Sequence, residues 1–98
     1  MSAPARISRD VLARYAGDAA RDAPGVRALV PNRLHRHDGV RVSGDDDAIA
    51  IEVHLDVEAG VAIPDVGADV QRRIADYLER MTGQTPATVD VVVHQIGR

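Results

Sequence analysis

The sequence predicts an α+β fold: a two-layer α/β sandwich of element order α-β-β-α-β, with both helices on one face of a three-stranded mixed sheet. Three observations carry that prediction. Two segments repeat apolar residues at helical spacing, 49–58 follows a period-two pattern with large aliphatic residues at every odd position, and a valine alternation follows the later helical segment. A sheet buried on both faces would read as continuous apolar runs, so the alternation implies one covered face and one wet face.

Taken in order, Ser8 is the N-cap of a helix over 9–22, its hydroxyl accepting from an otherwise unpaired backbone N–H. Val11, Leu12, Tyr15, Ala16 and Ala19 form its apolar stripe, and Pro24-Gly25 ends it. From Val26 to Val42 the pattern is less clear: Val26, Leu29, Val30 and Leu34 are apolar, and Arg33, His35, Arg36 and His37 make a short basic run. Val40 and Val42 begin a strand, and Gly44-Asp45-Asp46-Asp47 is the turn of a hairpin. In the next strand Ile49, Ile51, Val53, Leu55 and Val57 share one face, while Ala50, Glu52, His54, Asp56 and Glu58 share the other.

Gly60 breaks that strand, and Pro64 opens a second helix at the position where a missing N–H is harmless. Val66, Val70, Ile74, Tyr77, Leu78 and Met81 form its core stripe. Opposite them, Asp69 with Arg73 and Asp76 with Arg80 have the spacing of i,i+4 ion pairs. Gly83 stops the helix, and Val89, Val91 and Val93 alternate with Asp90, Val92 and His94 in the last strand. Residues 1–98 read as a single domain, ordered over about 7–96.

Composition narrows the chemistry. The 98 residues include two Tyr but no Phe, Trp or Cys, so the core is aliphatic, and disulfides and thiolate chemistry are excluded. A deep small-molecule site draws on aromatic walls that this inventory lacks, so no small-molecule substrate and no cofactor are expected. Twelve basic and 15 acidic side chains are interspersed, giving a net charge of −3 and no long basic surface for nucleic acid. The N-terminus lacks the apolar core of an export signal and no run is long enough to span a bilayer, so neither ordinary export nor a membrane span is expected, and a cytoplasmic location is the expectation.

No catalytic set emerges. His35 and His37, with Asp38, could approach one metal ion but lack further ligands, so no metal site is assigned. The Asp45–Asp47 run lacks the spacing and terminal Glu of a calcium loop. Ser8 and Ser43 lie outside any nucleophile elbow, and neither a phosphate loop nor a dinucleotide fingerprint occurs. The element order overlaps that of KH-type RNA modules, but the Gly-x-x-Gly clamp is missing.

One combination is specific: Gly60-Val61-Ala62-Ile63-Pro64-Asp65-Val66, then Val70-Gln71, Met81-Thr82-Gly83 and Val89-Asp90-Val91. With Ala19-Ala20, Pro24-Gly25-Val26, Gly39-Val40-Arg41-Val42 and Ile51 to Val57 upstream, it resembles the alkaline shock (envelope stress response) family of Gram-positive bacteria. Ala59 and Gln84 depart from the family pattern, at an aromatic and an apolar position respectively. The resemblance implies a non-enzymatic protein of cell-envelope homeostasis, held near the membrane by a separate anchored partner. The Ala-, Arg-, Asp- and Val-rich composition suits an actinobacterial source.

The expected function is therefore a scaffold or adaptor working through protein–protein contacts with other copies and a membrane-anchor protein, its membrane contact indirect. The alternative is a regulatory module that controls an enzyme or binds RNA. The uncovered sheet face, with Arg41, Glu52, His54, Asp56, Val92 and His94, is the candidate interaction surface.

Overall fold

The computed structural model describes residues 8–31, 39–45 and 47–96. The elements are α1 (Arg9–Arg21), β1 (Val26–Leu29), β2 (Val40–Asp45), β3 (Ala48–Val57), α2 (Ile63–Thr82) and β4 (Thr88–Ile96). Ser8 caps α1 as expected, its hydroxyl accepting from the Val11 N–H at 3.2 Å. Gly83 ends α2 in the left-handed conformation, its N–H donating to the Glu79 carbonyl.

The fold is the α+β sandwich predicted, with one strand more. β3 is the central strand: β4 runs parallel along one edge, and β1 and β2 both pair antiparallel with the other. β2 takes the first half of β3 and β1 the last three residues, so the two short strands lie end to end in one row. The chain leaves that row after Val30, whose N–H donates to the His54 carbonyl at 2.8 Å. It rejoins at Gly39, whose carbonyl accepts from the His54 N–H at 2.8 Å. Four residues with a register irregularity between Val26 and Ala28 carry too little alternation to show as a strand in sequence.

Both helices pack on the face bearing Ile49, Ile51, Val53, Leu55 and Val57, all buried. α1 contributes Leu12, Ala13, Ala16, Ala19 and Ala20, and its small residues let the helix lie close to the sheet. α2 contributes Val66, Val70, Ile74 and Leu78. Tyr15 and Tyr77 meet edge to face between the helices, ring centroids 5.7 Å apart. Met81, expected on the core stripe, is instead 46% exposed, whereas Leu78 one turn earlier is buried.

Of the two ion pairs predicted on α2, Asp69–Arg73 forms at 2.8 Å and Arg72 joins it. The other does not: Arg80 lies over the Tyr77 ring, 5.9 Å from its centroid. Hydrogen bonds from Arg73 and Arg72 hold the Asp69 carboxyl below its usual 3.8. A carboxylate depressed in the folded state stabilises the fold above its unfolded pKa and loses that contribution as pH falls through the folded value. Asp69→Asn is therefore expected to lower stability slightly at neutral pH and to match the wild type once the pH is well below 3.8, in paired urea titrations.

Candidate functional site

β3 presents its second set of side chains on the sheet face away from the helices. Register places Arg41 and Asp90 on either side of Glu52, and Val92 beside His54. All six residues of the expected surface lie on these three strands, five of them in register and His94 at an irregularity of the β3–β4 ladder. Their exposure differs: Arg41, Val92 and His94 are exposed, Glu52 and Asp56 are intermediate, and His54 is buried at 9%. The reading of His54 as wet polar surface is thus corrected.

His54 is held from two sides. Its Nε2 lies 2.7 Å from a Glu52 carboxylate oxygen and its Nδ1 lies 2.6 Å from Nε2 of His94. An ionised carboxylate only accepts, so Nε2 of His54 carries a proton. With His54 neutral, Nδ1 then accepts from the Nε2–H of His94. The two rings sit 4.8 Å apart at a tilt of 43°. Glu52, His54 and His94 thus form one hydrogen-bonded chain running from β3 to β4.

Local structure explains how His94 reaches it. The apolar phase of β4 is Val89, Val91, Val93 and then Ile96, a change from odd to even positions. The parallel ladder absorbs the change with a bulge: Leu55 pairs with Val93, Asp56 with Gln95, and His94 is the extra residue between them. Bulges re-aim the residue they insert. The extra residue here carries the imidazole that meets His54.

Asp90 was absent from the expected surface, yet it is the register neighbour of Glu52. Its place in the alternation was readable, but its juxtaposition with Glu52 needs the β3–β4 register. One Asp56 carboxylate oxygen is buried without a hydrogen-bond partner among the described residues. Among the described residues no group of three or more His, Cys, Asp or Glu is arranged to hold a metal ion. His35, His37 and Asp38, weighed as metal ligands, lie outside the described residues, as does Asp46. Among the described residues no helix is long and apolar enough to cross a membrane.

Fold and face together define a small α+β sandwich with one helix-covered and one polar sheet face. The same architecture occurs in a MamM CTD variant, with a TM-score of 0.59, 12% identity, and 90% of this chain and 98% of that one covered. A nickel form of another MamM CTD variant matches at TM-score 0.56 and 13% identity, over 87% of this chain and 95% of that one. At such identity the likeness is one of fold. The chain belongs to the alkaline shock protein 23 family, described as having a cell envelope-related function, whose profile matches residues 3–98. It is also 32% identical to the uncharacterised protein YqhY of Bacillus subtilis strain 168 over 101 residues, spanning 93% of this chain and 73% of that protein.

Proposed function

We propose that this protein is a non-enzymatic scaffold or adaptor of the cell envelope, acting through protein–protein contacts with other copies of itself and with a membrane-anchored partner. The observation that carries this reading is the polar sheet face left uncovered by both helices, where Val92 stands exposed beside the Glu52–His54–His94 chain. Fixed side chains at an accessible surface are pre-organised for a protein partner, because less rotamer entropy is lost on contact. The envelope-related description of the family supports the setting. The chain's tie to the membrane runs through the anchored partner, and the chain itself remains on the cytoplasmic side.

The test is affinity capture of the tagged full chain from detergent-solubilised membranes of the source organism, with a charge-reversed face carrying Arg41→Glu and Asp90→Lys as the comparison. A membrane protein retained by the wild type and lost by the variant, both folded by circular dichroism, is the expected result. Equal recovery with both chains, or none with either, would remove this face from the function.

A further inference from the structure

We infer that the outer edge of β4 is a self-recognition edge, pairing antiparallel with β4 of a second copy about a two-fold axis through Val92. The inference rests on the self-association in the proposed function and names the surface that performs it. Among the described residues β4 pairs only with β3, so its other edge is open. An open edge presents unpaired N–H and C=O groups, a template for a further strand.

Backbone direction fixes which groups point outward. His54 engages the β1–β2 row through its N–H and C=O, so Val53 and Leu55, with alternating direction, face β4. In the parallel register Val53↔Val91 this turns Val92 inward to β3 and Val89, Val91 and Val93 outward. An independent contact agrees: the Gln71 side chain donates to the Val89 carbonyl at 2.8 Å, from outside the ladder. Val91 and Val93 are left as the pairing positions.

The strand sequence is self-complementary about Val92. An antiparallel two-fold there sets Val91 opposite Val93 of the second copy, as a hydrogen-bonded pair, and Val92 opposite itself. It also sets Asp90 opposite His94 of the second copy, an acid facing an imidazole, whereas moving the axis by one residue loses that match. No described side chain forms an ion pair with Asp90. On the helix side, a groove of about 280 Å³ lined by Ile63, Gly67, Ala68, Val91 and Val93 runs along the same edge. Nothing lies within 4 Å of where a Gly67 side chain would begin, so α2 of the second copy can approach this groove closely. Apolar side chains thus meet below the joined sheet and the acid–imidazole pairs form above it.

The chain has no cysteine, which permits a register test on the full protein. Val92→Cys should cross-link to itself under oxidised glutathione, since residues directly opposite in such a pair have Cα atoms about 4.5 Å apart. Asp90→Cys alone and His94→Cys alone should remain un-cross-linked, while an equimolar mixture of the two should cross-link. In light scattering Val92→Lys should weaken the dimer at least about tenfold, with its circular dichroism unchanged. The Asp90→His and His94→Asp exchange, made together, should restore association that either change alone reduces. Cross-linking of all single variants alike, or dimers unaffected by Val92→Lys, would place association on another surface and overturn this edge while leaving the scaffold reading intact. A chain monomeric at all concentrations would overturn the inference and the self-association with it.

Discussion

Leu55→Ala is expected to destabilise the protein by about 3 kcal/mol and to lower the thermal midpoint by about 12–20 °C. Leu55 is fully buried at the middle of the sheet, in register with Leu29 of β1 on one side and Val93 of β4 on the other. Truncation removes the transfer free energy of the side chain and leaves a cavity, because neighbours held by two ladders and two helices cannot collapse into it. Met81→Ala gives the contrast: the residue stands on the same predicted stripe as Leu78 but is 46% exposed, so its loss should stay within about 0.5 kcal/mol. Urea denaturation measures both, with the slope unchanged if only the native state is affected. A loss below about 1 kcal/mol at Leu55 would contradict a close-packed centre.

Gly39→Ala should be nearly as damaging, by about 2–3 kcal/mol, for a different reason. Gly39 has φ of 92°, and a Cβ there would stand 2.8 Å from the Val30 carbonyl oxygen and 3.0 Å from that of His54. Those backbone atoms belong to the junction where the β1–β2 row closes on β3, so they cannot move without releasing the hydrogen bonds at His54. Gly60→Ala separates conformation from crowding: its φ is 84°, but nothing lies within 4 Å of the added atom. Its cost should be the backbone term alone, about 1 kcal/mol. Equal losses at the two positions would show that the junction is not crowded.

Gly39 also marks the boundary of what could be read without coordinates. The hydrophobic period located both helices and the two longer strands, because burial on one side imposes a spacing of 3.6 or 2 that appears directly as residue order. β1 escaped because a four-residue strand with a bulge shows no period and is defined by its partner. Met81 satisfied the period and was still exposed, since periodicity gives a helix face and not how far along the helix that face stays covered. Asp76 and Arg80 had the spacing of an ion pair, but the guanidinium found an aromatic face within reach.

The candidate surface divides in the same way. Alternation alone assigned Arg41, Glu52, His54, Asp56, Val92 and His94 to one side of three strands, a consequence of the pleat that needs no partner. Contacts among them depend on how far one strand slides against the next. The β3–β4 register brought Asp90 beside Glu52, and the bulge at His94 carried its imidazole to His54. The chain's own residue order therefore determined the fold class, the aliphatic core and the polarity of each sheet face. Tertiary structure decided the hydrogen-bonded chain, the burial of His54 and the open edge of β4, because register, bulges and edges are relations between segments far apart in sequence.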